Sequence, residues 1–180
     1  MSIPEAVREQ ARQRARFACE YCGVTETDTA GQLTLDHFHP RARGGSDAPD
    51  NLIYCCHRCN EYKSDYWPQT PGAQALWNPR QEADQDHFLE LADGSLYALD
   101  AVGELTLSRL RLNRPALIAH RLQQRRGRDE QRLLTRLHDM VALFGQGQRQ
   151  QTILLQEHRD LLQEQLRVMQ ALLNQKPGDK

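Results

Sequence analysis

Long apolar runs are missing from this chain: no stretch approaches the roughly 20 residues that span a membrane. A mean hydropathy of −0.74 with 39% hydrophobic residues allows only a modest core and implies much exposed helix. Aromatic residues are scarce at 6%, and none interleaves with Arg121, Arg125 and Arg128, which disfavours a base-stacking platform there. Trp67 and Trp77 are expected instead as cover for a small core. Net charge is nearly absent at −1, so attraction to a polyanion has to be local. No secretory leader is legible, which disfavours disulfides and points to a reducing, cytoplasmic setting. Cysteine is sparse too, five in 180 residues, but four of the five fall in two CxxC pairs.

Those pairs are Cys19-Glu20-Tyr21-Cys22 and Cys56-His57-Arg58-Cys59. Four thiolates at about 2.3 Å complete a tetrahedral zinc site, and two separated knuckles are the usual way for a chain to supply them. The competing readings are two disulfides or four buried thiols; zinc is favoured. Cys55 is out of register with the spacing and reads as a small core residue. Between the pairs lie Asp36-His37-Phe38-His39-Pro40, Gly44-Gly45 and Asn51-Leu52, and after them Asn60 and Lys63. Alternation over Leu33–His37 and a short apolar run over Asn51–Tyr54 predict two paired strands, with a helix from about His57 to Tyr66. Strand, loop, strand and helix then draw Asp36, His37, Asn51 and Asn60 toward one place.

In that order and spacing the stretch resembles the HNH endonuclease family in its four-cysteine, zinc-bearing form. The resemblance implies a ββα-metal fold in which His37 is the general base and Asp36 a ligand of a catalytic cation. It further implies that Asn51 orients the base. The family's last position, often His, is here Asn60, giving a His-Asn-Asn variant; an amide oxygen beside a carboxylate favours Mg²⁺ or Mn²⁺ over softer metals. Phosphodiester hydrolysis independently calls for these residue types: a neutral imidazole to deprotonate water, and a cation to stabilise the charge that develops on phosphorus and the leaving oxygen. His39, two residues along the strand, has a supporting role.

Arg41, Arg43 and Lys63 are candidate phosphate contacts, as are Arg14 and Arg16 on the probable first helix, with Arg8 and Arg12 beside them. From residue 104 to 149 there are ten arginines against four acids, which can serve nucleic acid or simply form a solvated helix face. Downstream, Asn78-Pro79-Arg80, His87-Phe88 and Leu110–Arg114 resemble, more loosely, the extension that trails many small bacterial proteins of this family. Two short strands, His87–Leu91 and Ser95–Leu99, are predicted about an Asp93-Gly94 turn. Pro115 opens a helix, Gly145-Gln146-Gly147 is expected to break it, and Leu155, Leu162, Leu166, Met169 and Leu173 carry heptad spacing toward its end.

The sequence therefore predicts an α+β protein: a zinc-braced nuclease domain over 1–80, a hairpin and helix extension over 81–114, and a helical hairpin over 115–176. Its expected activity is metal-dependent endonucleolytic hydrolysis, with DNA the favoured substrate. Two alternatives stand beside it. One is a non-catalytic zinc-fold module that binds nucleic acid or protein. The other is a nuclease subunit of a larger defence or recombination complex. The last helix is a possible homodimer or protein-partner surface.

Overall fold

The computed structural model of the chain describes residues 3–70 and 72–173. Pro71 of the connecting loop, the end of the 115–176 appendage and the tail Pro177 to Lys180, expected as disordered, lie outside the described residues. Helix α1 (Glu5–Arg14) buries only Ala11, and Arg16 and Phe17 then take positive φ of 52° and 61°, turning the chain into the first cysteine knuckle. A short helix α2 (Glu26–Thr29) follows, fixed by a Thr25/Asp28 capping box. Strands β1 (Thr34–His37) and β2 (Leu52–Cys55) pair antiparallel with Asp36 opposite Ile53 and His37 opposite Leu52. Every residue of β2 is buried, whereas β1 is half-buried along its length. This leaves β1 to present its polar side chains at the edge of the core.

Helix α3 (His57–Lys63) starts at the second knuckle, where the Cys56 sulfur caps it by accepting the Cys59 amide. Beyond the loop come β3 (Phe88–Glu90) and β4 (Leu96–Ala98), turned at Gly94 with φ of 81°. A Cβ at Gly94 would stand 2.8 Å from the Leu122 side chain, so glycine is needed for close approach as well as for the turn. Helix α4 (Ala101–Leu110) is capped by Asp100. One hydrophobic cluster joins Cys19, Tyr21, Ile53, Tyr54 and Cys59 to Trp77, Phe88, Leu110, Leu112 and Leu117. The cysteine framework and the extension therefore share a core.

The helical hairpin expected over 115–176 does not form. A single helix α5 (Pro115–Leu173) runs for 59 residues through Gly127, Gly145 and Gly147. Each glycine costs a helix only about 1 kcal/mol relative to alanine, and a break needs a left-handed cap or a proline. None of these three glycines has positive φ. The chain divides into two compact units, Met1–Arg125 and Arg126–Lys180. No described helix is long and apolar enough to cross a membrane.

Candidate metal centre and active site

The knuckles bring Cys19, Cys22, Cys56 and Cys59 together with all four sulfurs within 4.8 Å of one another. Cys22 Sγ and Cys56 Sγ are 3.7 Å apart. A tetrahedron with 2.3 Å metal–sulfur bonds has edges of about 3.8 Å, so the donor set fits a metal ion without rearrangement. All five cysteines are free thiols, which removes the disulfide reading. Cys55 faces away toward Thr34 Oγ1 at 3.9 Å, and burial pushes its thiol well above the ordinary value, as expected for a core residue. Arg114 lies 4.0 Å from Cys59 Sγ, a cation beside the thiolate cluster.

Glu20, inside the first knuckle, fastens it in place. Its carboxylate accepts the Tyr54 amide at 2.7 Å and pairs with Arg14 at 3.4 Å and Arg80 at 3.1 Å. On the far side of the knuckle, Glu26 receives Arg12 through two hydrogen bonds of 2.6 and 2.8 Å and also the Tyr54 hydroxyl. The Arg12 guanidinium holds the Glu26 carboxyl down to about 2.

At the end of β1, the Asp36 side chain meets α3, while the His37 ring turns to the loop that carries Asp47. Lys63 Nζ is 2.8 Å from Asp36 Oδ2 and donates to the His37 carbonyl at 2.7 Å. Asp36 Oδ2 is buried, and its close partner is the Lys63 ammonium. Burial raises the Asp36 carboxyl above its usual range, with Lys63 pulling the other way. A carboxylate is a donor type suited to a hard divalent cation. Asn60, half-buried on α3, donates to Thr34 Oγ1 at 3.4 Å, two residues before Asp36 on β1.

The loop between the strands is stapled by Asn51. Its Oδ1 accepts the His39 amide at 2.8 Å, and its Nδ2 donates to the carbonyls of His39 at 3.0 Å and Ser46 at 2.7 Å. His39 stacks on Trp67 with ring centroids 3.9 Å apart and reaches the Arg43 carbonyl at 2.9 Å, so it braces the loop. Trp67 therefore covers this loop, while Trp77 packs edge-on against Tyr21 in the cysteine core.

Several expected phosphate contacts are committed elsewhere. Lys63 is fully buried and holds Asp36 and the His37 carbonyl, so it cannot reach a nucleic acid. Arg14 donates to the carbonyls of Pro49 at 2.9 Å and Leu52 at 2.6 Å, sewing α1 to β2. Arg12 is taken by Glu26, and Arg121 is neither solvated nor a phosphate contact: it is 9% exposed and donates to the carbonyls of Gly94 and Leu112. Arg125 likewise pairs with Glu90. Arg16, Arg41 and Arg43 stay exposed, with Arg43 near Gln69 at 2.9 Å and Arg41 held by Asp47 at 2.6 Å. Asp47 itself carries no motif signal; its only sequence clue is its place between the Gly-Gly turn and Asn51.

Residues 19–65 match the family model described as HNH endonuclease. Over 59 residues, 32% of this chain, it is 39% identical to a CRISPR-associated endonuclease Cas9 of Corynebacterium diphtheriae. The chain spans only 5% of that protein's length. No solved structure matches the chain. The cysteine framework, the strand pair with its Asp-His, and the family match together identify residues 19–65 as a nuclease domain of the HNH kind.

Proposed function

We propose that the protein is a metal-dependent endonuclease that hydrolyses DNA phosphodiesters at the site formed by Asp36, His37 and Asn60. The observation that carries this reading is a largely buried carboxylate, Asp36, next to the His37 imidazole at one end of β1, inside the stretch that matches the HNH endonuclease model. Asp36 and Asn60 are the residues that would hold Mg²⁺ or Mn²⁺, and the ion when bound supplies electrostatic stabilisation of charge on the phosphate and the leaving oxygen. His37 takes a proton from water as the water oxygen attacks phosphorus. The bond from phosphorus to the 3′-oxygen breaks and that oxygen takes a proton from solvent water, leaving 5′-phosphate and 3′-hydroxyl ends. Exposed Arg16, Arg41 and Arg43 can contact the flanking backbone. Zinc in the cysteine cluster is structural, since four protein donors leave no open position. Free thiols suit a cytoplasmic setting.

The test is cleavage of duplex DNA, single-stranded DNA and RNA with a series of divalent ions, alongside His37→Ala. We expect duplex cleavage with Mg²⁺ or Mn²⁺ and a loss of about 10² to 10⁴ in rate for the variant, with DNA binding retained. Binding without cleavage under every ion would instead support a non-catalytic module.

We further propose that α5 pairs with a second copy of this chain. Exposed apolar doublets recur at seven-residue steps: Leu133-Leu134, Met140-Val141, Leu154-Leu155, Leu161-Leu162 and Val168-Met169. A straight helix drifts about 20° per heptad from a strict seven-residue repeat, so such a repeat serves a left-handed supercoil. The step at Gly147-Gln148 is polar, and two identical strands in register align that interruption automatically. The gross gain from partly burying these side chains in both copies is on the order of 20 kcal/mol, above the association cost of about 4–15 kcal/mol.

A further inference from the structure

The His37 ring is held by the carboxylate of Asp47. Its Nε2 lies 2.7 Å from Asp47 Oδ1, and the other oxygen of the same carboxylate accepts from Arg41 at 2.6 Å. The loop that presents Asp47 is itself fixed, because Asn51 grips the carbonyl of Ser46 immediately before it. Gly45 makes the fold-back possible: a Cβ there would stand 1.7 Å from the His39 carbonyl oxygen. Gly45, Asn51 and Arg41 thus converge on the placement of one side chain.

An ionised carboxylate can only accept. When the imidazole is neutral, the shared proton must therefore sit on Nε2, and the free lone pair belongs to Nδ1. That lone pair is the one that can take a proton from a water. A ring flip would exchange the two nitrogens only by breaking a charge-assisted hydrogen bond. Orientation and tautomer are fixed by the same contact.

We propose that Asp47 is the positioning residue of His37: it sets the ring so that Nδ1 faces the attacking water. The proposal rests on the nuclease reading above and names the residue that makes its base competent. Arg41 then acts on the base through Asp47, holding the carboxylate that holds the ring. The opposite arrangement, in which Asp47 masks His37 until substrate displaces it, would instead make Asp47→Ala raise kcat.

The experiment uses the full-length, zinc-loaded protein and duplex DNA with Mg²⁺ or Mn²⁺. Asp47→Ala is expected to lower kcat by about 10- to 10³-fold with KM changed by less than about twofold, the range for losing a group that orients a ligand or base. Asp47→Asn, whose amide oxygen still accepts, should fall between the two. In a His37→Ala background, Asp47→Ala should add no further loss, because the two act as one unit. Long-range ¹H–¹⁵N NMR of the neutral protein should find the His37 proton on Nε2 in the wild type and shared between both nitrogens in Asp47→Ala. A wild type that cleaves, with Asp47→Ala equally or more active, overturns the proposal. So does an equal further loss in the His37→Ala background, or a wild-type ring protonated at Nδ1. A wild type that never cleaves defeats the nuclease reading alone, and the NMR measurement still decides the role of Asp47.

Discussion

Among the described residues up to 125, most apolar side chains find cover within the chain, whereas in residues 126–173 none is buried. Leu110, Leu112 and Ile53 are at most 1% exposed, while Leu133, Leu155 and Met169 are each more than half exposed on a helix of regular geometry. The two regions have different kinds of closure. The first gathers apolar groups from many short elements around a thiolate cluster and stitches the gaps with arginines donating to carbonyls. The second is one element with a repeating stripe, which can be satisfied only by something outside it.

The largest effect should come from breaking the metal cluster. Removing the ion with a chelator, or substituting Cys59→Ser, is expected to unfold residues 1–125. Structural zinc sites contribute on the order of 10 kcal/mol, comparable to the whole stability of a domain. Near-ultraviolet circular dichroism should lose its signal from Trp77 and Tyr21 in the core while much of the far-ultraviolet helical signal persists, because α5 takes no part in binding the metal. Bound zinc near zero in a folded, gently purified protein would contradict the assignment.

A smaller effect isolates the second region. Leu155→Glu with Leu162→Glu should abolish self-association in sedimentation equilibrium and leave DNA cleavage per chain within about twofold. If the wild type is monomeric at tens of micromolar, the paired helix is refuted.

The smallest effect sharpens the polar stitching of the first region. Glu26 is held down to about 2 from an ordinary value near 4.5. A carboxylate with a depressed folded value contributes stability that is fully present above its unfolded value and is lost as pH falls toward the folded one. Glu26→Gln should therefore be less stable than wild type at neutral pH, and the difference should shrink between about pH 4.5 and 2. Because Glu26 is near the surface, screening keeps the difference small. A difference independent of pH would assign the loss to packing instead.

Much of the first region was legible because its local signals agree. CxxC spacing, β alternation over Leu33–His37 and an Asp-Gly turn each point to one conformation, and the observed strands fall within a residue or two of the expected ends. The roles of arginines were less legible. A side chain that donates to distant carbonyls, as Arg14 and Arg121 do, looks in sequence the same as one that is solvated. Lys63 shows the reverse problem: a residue that reads as a phosphate contact is drawn inward by the charge of Asp36. Asp47 was invisible because its importance comes from a loop fold-back set by Gly45 and Asn51, not from its own spacing. For α5, the glycines suggested a break, yet chain-breaking power depends on backbone angle, which composition does not state.

The shared core has a consequence for transplantation. The stretch that carries the family signature stops at residue 65, but its cysteine cluster is packed against Leu110, Leu112 and Leu117. Arg109 donates to the Lys63 carbonyl at 3.2 Å and covers the face of Tyr66, and Arg114 sits beside Cys59. Cutting the chain after residue 65 would strip one wall from the hydrophobic interior and leave the Lys63 carbonyl without its donor. The portable unit of chemistry is thus shorter than the portable unit of folding. A graft of this domain into another protein has to carry the chain through at least the first turns of α5 to arrive intact.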